Sequence, residues 1–151
     1  MSKKETIISY FEKMDINMLE LLLDDSKTYQ DATKEMFLKK LELLFNDLKN
    51  NNDSFLTAYK GKCVSEKCMN SGCKGYSFVG NNSGKHLDLI FEEYKSEFFD
   101  IYHCSSLETS NKFNSKDSLL TLEIFDDEMA NLFQQLTFLL NIKNANWLMK
   151  N

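Results

Sequence analysis

The hydrophobic pattern of the chain changes period once, near residue 53, and that single change limits the fold more than any motif does. Before it, apolar residues recur at helical spacing. Ser2-x-x-Glu5 has the form of a capping box and predicts a helix carrying Ile7, Ile8, Phe11 and Met14. Asp15 is placed to cap a second short helix with Met18, Leu19, Leu22 and Leu23 apolar. Lys27 to Gln30 reads as a short extended piece, after which Asp31 caps a long helix to about Leu48. Phe37, Leu41, Leu44 and Leu48 form the seam of that helix. After residue 53 the apolar residues alternate. Ser54–Lys62, Tyr76–Gly80, His86–Glu93 and Glu97–Cys104 are short, rich in aromatic and branched residues, and bounded by turn residues, so they read as strands.

Helices followed by closely spaced strands predict an α+β domain: N-terminal helices packed on a curved antiparallel meander sheet, plus a C-terminal amphipathic helix. Ser105 to Ser118 reads as a polar loop and Leu119 to Phe125 as a fifth strand. Asp126 and Asp127 then cap the last helix, whose stripe is Met129, Leu132, Phe133, Leu136, Leu139 and Leu140. Residues 1–104 are expected to form the core, with a Cys-rich loop at 63–73, and residues 105–151 to complete the same domain. With no proline in the chain, the turns fall to Gly, Asn, Asp and Ser.

The last hairpin can be registered from its side chains. A loop of Tyr94, Lys95 and Ser96 sets Phe91 against Phe99, Leu89 against Ile101 and Leu87 against His103, with the apolar residues on one face. A two-residue loop would set Phe91 against Asp100. Since a one-residue slip turns every side chain to the other face, the first register is preferred. It gives His86, Asp88, Asp100, Tyr102 and Cys104 a shared opposite face, with His86 against Cys104.

Composition removes several function classes. At 151 residues the chain suits one core. All 18 basic residues are Lys, the net charge is −5 and the pI is near 5.1. Lacking guanidinium groups and a positive balance, it is not expected to bind nucleic acid. No apolar run approaches the roughly 20 residues of a membrane span. The N-terminus has no secretory apolar stretch or cleavage site, which predicts a cytoplasmic protein. Gly80-Asn81-Asn82-Ser83-Gly84-Lys85 superficially suggests a phosphate loop. It has one residue too few between its glycines, and His86 stands where Ser or Thr would bind magnesium, so it reads as a hairpin.

Three of the four cysteines fall in one polar loop, Cys63-x4-Cys68-x4-Cys73. Without an export signal, such clustering points to metal more than to a disulfide or to inert thiols. Thiolates suit tetrahedral zinc, and Lys62, Lys67 and Lys74 are near in sequence to offset their charge. Cys104 is the candidate fourth ligand, beside His103. A simple meander places it at the far end of strands about 23 Å long, leaving Glu66 or a partner chain as alternatives. His86 with Cys104 could serve as base and nucleophile, and Asp88 with Asp100 as acid and base. The plainer readings are strand-end residues, a hydrogen-bonded core-edge His103, and the wet side of a half-buried sheet.

ISYFEKMDINMLELLLDD, TYQDATKEMFLKKLELLF, GYSFVGN and LDLIFEEYKSEFFDIY, over roughly residues 5 to 104, together resemble the nuclear-transport-factor-2-like cone folds. The SnoaL-like polyketide cyclases and ketosteroid isomerases belong to that group. The resemblance implies a small apolar ligand held inside the cone, or a fold used only for association. Its catalytic set has no residue-by-residue counterpart here, so catalytic residues stay unassigned. The expected function is a small-molecule-binding domain of the cone type stabilised by structural zinc on Cys63, Cys68, Cys73 and Cys104. The alternatives are a zinc-stabilised protein-interaction or oligomerisation module and an isomerase- or cyclase-like enzyme. A homodimer would form through the terminal helix or the outer sheet face, where Ile90, Phe98 and Tyr102 lie among Asp88, Asp100 and Glu92.

Overall fold

A computed structural model describes residues 1–66, 73–94, 97–109, 118–122, 135, 136 and 138–141. Three helices come first: α1 (Lys3–Glu12), α2 (Ile16–Leu22) and α3 (Lys34–Asn50), with a minute hairpin, β1 (Thr28–Tyr29) and β2 (Ala32–Thr33), before the third. The capping box forms as expected. Glu5 N–H donates to Ser2 Oγ at 3.1 Å and Ser2 N–H donates to the Glu5 carboxylate at 2.8 Å. Asp15 caps α2 by accepting from Met18 N–H.

The cap of α3 is Thr33, not Asp31. Gln30 and Asp31 occupy the left-handed region, with φ of 52° and 59°, as the two turn residues between β1 and β2. Asp31 is therefore spent on the turn, and Thr33 Oγ1 accepts from Met36 N–H instead. The far end of α3 closes as a Schellman motif: Asn52 at φ 65°, its N–H on the Lys49 carbonyl and Asp53 N–H on the Leu48 carbonyl. Asparagine does here what glycine usually does.

Four longer strands follow, β3 (Leu56–Cys63), β4 (Lys74–Gly80), β5 (His86–Tyr94) and β6 (Glu97–His103), then β7 (Leu107–Thr109) and β8 (Leu119–Leu120). The fold is mixed α+β, with helices on an antiparallel sheet of order β6-β5-β4-β3-β7; β8 pairs parallel with the start of β5. β7 falls inside the stretch expected to be a loop. Of the expected fifth strand, Leu119–Leu120 is present, and residues 123–125 lie outside the described residues.

On one sheet face Leu87, Leu89, Phe91 and Ile101 are buried beneath Phe37, Leu38, Leu41, Phe45 and Leu48 of α3. The seam steps through Phe45 rather than Leu44, which is half-buried. Phe11 of α1 stacks on Phe78 at 5.1 Å and meets Phe91 and Phe45 edge-on, so aromatic rings fill the space between helices and sheet.

The β5–β6 register differs from expectation by two residues. Leu89 faces His103 and Phe91 faces Ile101, and the connection is the two-residue one. A bulge between Glu92 and Glu93 leaves Phe99 as an extra residue without a partner on β5. That extra residue restores the parity a two-residue loop would otherwise break, so the apolar residues keep their face. The side chain of Phe99 lies outside the described residues.

The sheet is strongly coiled. β6 and β7 lie on opposite margins, yet residues 104–106 alone connect them. Four extended links reach about 14 Å, whereas the margins of a flat sheet of this order would be about 19 Å apart. Gly61 and Gly75 sit directly opposite each other on β3 and β4. A Cβ on Gly61 would run into the Glu108 carbonyl, and one on Gly75 into the Leu89 carbonyl. The paired glycines let the strands bend closer than side chains permit. The stretch expected to hold a terminal helix is described at residues 135, 136 and 138–141, which have helical backbone; Leu136, Leu139 and Leu140 are exposed there rather than laid on the sheet. Met129, Leu132 and Phe133 lie outside the described residues. Among the described residues no helix is long and apolar enough to cross a membrane.

Leu89 is fully buried at the centre of this core. Leu89→Ala should lower unfolding free energy by about 2–5 kcal/mol in urea melts, and a loss below about 1 kcal/mol would contradict the packing described.

Candidate functional site

The strands alternate, so the face turned away from the helices carries Cys63, Ser77, His86, Asp88, Ile90 and Tyr102. Residues 104–106 cross over this face on their way to β7, pinned by Val64 N–H donating to the Ser106 carbonyl. The crossing turns an outer surface into a second small core. Cys63, Ile90 and Leu107 are buried in it, with Cys73, Tyr102 and Cys104 half-buried around them.

Two cavities open beneath the crossing. One, of about 210 Å³, is lined by the three thiols with Ile90, Tyr102 and His103. The other, of about 360 Å³, is lined by His86, Asp88, Glu108 and Thr109. Ser65, Ser105 and Ser106 belong to both walls.

Cys63 and Cys73 face each other at the ends of β3 and β4, and Cys63 N–H donates to the Cys73 carbonyl at 2.8 Å. A flat meander would keep Cys104 at the far end; sheet coiling brings it to the same cavity. All three are free thiols. Cys68 lies outside the described residues. Among the described residues no group of three or more His, Cys, Asp or Glu is disposed to hold a metal ion. Glu66 is exposed and lines neither cavity. Lys62 and Lys74, expected to offset thiolate charge, are one residue along from Cys63 and Cys73 and so point to the opposite face; Lys67 lies outside the described residues.

His86 does not face Cys104. The register places Cys104 beside Asp88, with Cys104 N–H donating to the Asp88 carbonyl. The partner of His86 is the Asp88 carboxylate, 2.7 Å from Nδ1, and a carboxylate only accepts, so Nδ1 carries the proton. Ser77 Oγ lies 3.3 Å from the same nitrogen. His86 and Asp88 are 2% and 3% exposed and Ser77 is fully buried. Serine and carboxylate share one ring nitrogen, whereas a nucleophile relay needs them on opposite nitrogens. The cluster fixes the imidazole tautomer and closes the cavity floor. Sequence reasoning missed Ser77; the alternation of β4 places it on this face and was the available signal.

Asp88 and Asp100 are not a working pair. Asp100 Oδ1 accepts from Gln30 N–H and from Ile101 N–H, each at 2.8 Å, at the outer margin of β6. His103 is half-buried and hydrogen-bonded, as expected: its N–H donates to Gln30 Oε1, and Nε2 lies 3.2 Å from the Leu120 carbonyl. Ile90 and Asp88 are buried within the chain itself, so the outer face is not the open contact surface the sequence suggests.

The Gly80–Lys85 segment is a hairpin, and its amides already hold an anion. Asn82 N–H and Ser83 N–H both donate to Asp53 Oδ1 at 2.7 Å, and Ser83 Oγ donates to the other oxygen. The carboxylate occupies the position a phosphate would need.

No protein family, curated protein or solved structure matches the chain.

Burial pushes the Asp100 carboxyl above the ordinary carboxylate value, against the Gln30 and Ile101 N–H groups that pull it down, with Glu92 and Asp31 adding to the rise. The folded chain thus binds that proton more tightly than the unfolded chain, and stability falls as pH rises through the window between the two values. Asp100→Asn keeps an acceptor oxygen and removes the charge. It should therefore gain on the natural chain at neutral pH, with the gain shrinking as pH falls through the acidic range where Asp100 protonates. Urea melts of both proteins across pH measure this, and a gain that grows towards acid would contradict it.

Proposed function

We propose that this chain is a small-molecule-binding domain whose site lies beneath the 104–106 crossing, with a structural zinc held by cysteine thiolates at one end. The observation that carries the reading is the meeting of Cys63, Cys73 and Cys104, from three separate strand ends, around one cavity that shares walls with a second. Thiols lining one cavity are the donor chemistry zinc prefers; in the proposal they close in on the metal when it binds, with Cys68 as the fourth ligand. The neighbouring cavity, with an imidazole of fixed tautomer and several hydroxyls, would orient a small ligand. The cone-fold resemblance agrees with helices packed on one side of a coiled sheet. In this proposal the ligand lies on the other face, because aromatic rings fill the helix side. A reducing, cytoplasmic setting, which keeps thiols free to bind metal, belongs to the same reading.

Elemental analysis of protein purified without added metal should find about one zinc per chain, falling to a small fraction of that in Cys63→Ser/Cys73→Ser. Metal-free protein with all thiols titratable, or a disulfide between the cysteines, would overturn the metal reading.

A second reading, a protein-interaction module forming a homodimer, is favoured by the exposure of Leu136, Phe138, Leu139 and Leu140 on helical backbone. Light scattering should then give a dimer mass that Leu139→Glu/Leu140→Glu returns to that of a monomer. A monomer at every protein and salt concentration would remove this reading and leave the ligand reading in place.

A further inference from the structure

The lysines that sequence proximity assigns to the cysteines are freed by the pleat of the strands. Lys62 and Lys74 face each other directly across β3 and β4, on the helix side of the sheet. Like charges placed opposite one another on neighbouring strands destabilise a sheet. Lys60 lies on the same face one pleat away, opposite Tyr76. Lys4 reaches in from α1, with Nζ 5.6 Å from the centre of the Tyr76 ring. These four ammonium groups and the ring line one hollow of about 520 Å³, beyond the part of the sheet that the helices cover.

The charges there are only partly balanced. Lys4 pairs with Glu93 at 3.4 Å. Glu108, opposite Lys62 in the β3–β7 register, also lines the hollow. Among the described residues the ion pairs leave out Lys60, Lys62 and Lys74. Glu5 on α1 also acts electrostatically on Lys60, so four cations stand against the carboxylates of Glu93, Glu108 and Glu5, which still leaves a positive hollow in a chain whose net charge is −5. A solvated face gains nothing from concentrating like charges across a strand pair. A site for a multivalent anion does, because each ammonium is a compact point charge able to meet one anionic oxygen.

We propose that this hollow binds a small multivalent phosphate anion, of the pyrophosphate class, held by Lys4, Lys60, Lys62 and Lys74 over Tyr76. It lies on the sheet face opposite the thiol cavity and does not rest on the reading of that cavity. The volume suits a phosphorylated metabolite rather than a polymer, in keeping with the absence of arginine and the acidic balance of the chain.

The test is calorimetric titration of the full chain with pyrophosphate at low salt, with citrate as the carboxylate arm. Pyrophosphate should bind saturably, more tightly than citrate, and more weakly as salt is added. Lys62→Ser/Lys74→Ser should weaken it by about tenfold or more, Lys74→Gln by less, and Lys49→Ser, on the remote end of α3, should leave it unchanged. These side chains are exposed, so the variants should keep the cooperative thermal transition; pyrophosphate should raise the midpoint of the natural chain and not that of the double variant. Absence of saturable binding, equal binding by the natural chain and the double variant, or tighter binding of citrate would each overturn the proposal.

Discussion

The close approach of β7 to Gly61 and of β5 to Gly75, two positions paired across β3 and β4, is the contact on which the rest of the structure depends. With no side chain at either position, the backbones of β7 and β5 can close in and the sheet can coil enough for residues 104–106 to reach from one margin to the other. With a flatter sheet, Ile90, His86 and Asp88 would face water, and Cys104 would sit far from Cys63 and Cys73. Burial of the second face, convergence of the thiols and the walls of both cavities all follow from that one bend. The covered imidazole–carboxylate pair is tolerable for the same reason: a buried polar group must be hydrogen-bonded, and His86, Asp88 and Ser77 supply one another.

The pleat then divides chemistry that the sequence interleaves. Lys62 precedes Cys63, and Lys74 follows Cys73, yet thiols and ammonium groups end on opposite faces of the same two strands. Each face receives one chemical type, soft and largely enclosed on one side, hard and open on the other. Adjacency along a strand is thus the poorest guide to adjacency in space, and spacing of two is the better one.

Local physics made much of the fold legible. The capping box at Ser2, the Asp15 cap, the four longer strands and the hairpin at Gly80–Lys85 depend on residues close in sequence, and they stand as read. What was not legible depends on a partner far along the chain. Phe45 displaces Leu44 from the seam because of where the aromatic rings of α1 and the sheet lie. The bulge after Glu92 exchanges one loop length for another at constant parity, so no hydrophobic pattern distinguishes the two registers. β7 is too short to rise above the polar residues around it, and its strand character comes from β3. At the candidate site, the cysteine spacing pointed to Cys63 and Cys73, which line one cavity, but the approach of Cys104 required the coiling, and a pair of glycines gives no sign in sequence that they will be opposed.

Gln30 carries a consequence for how this protein meets its own copies. Its side-chain amide accepts from His103 N–H and donates to the Leu122 carbonyl, while Asp100 takes Ile101 N–H and Gln30 N–H. Two outward-pointing amides of the β6 margin, those of Ile101 and His103, are thereby already satisfied. At the opposite margin β7 covers Gly61–Cys63 of β3, and further along that strand Glu12 accepts from Ala58 N–H. A docking strand would thus meet side chains already bound at Ile101, His103 and Ala58, and such interruptions oppose the edge pairing that seeds fibrous aggregation. A single glutamine in a two-residue turn thus guards one amide of the β6 edge, as Asp100 guards the next, and edge pairing there would have to displace both.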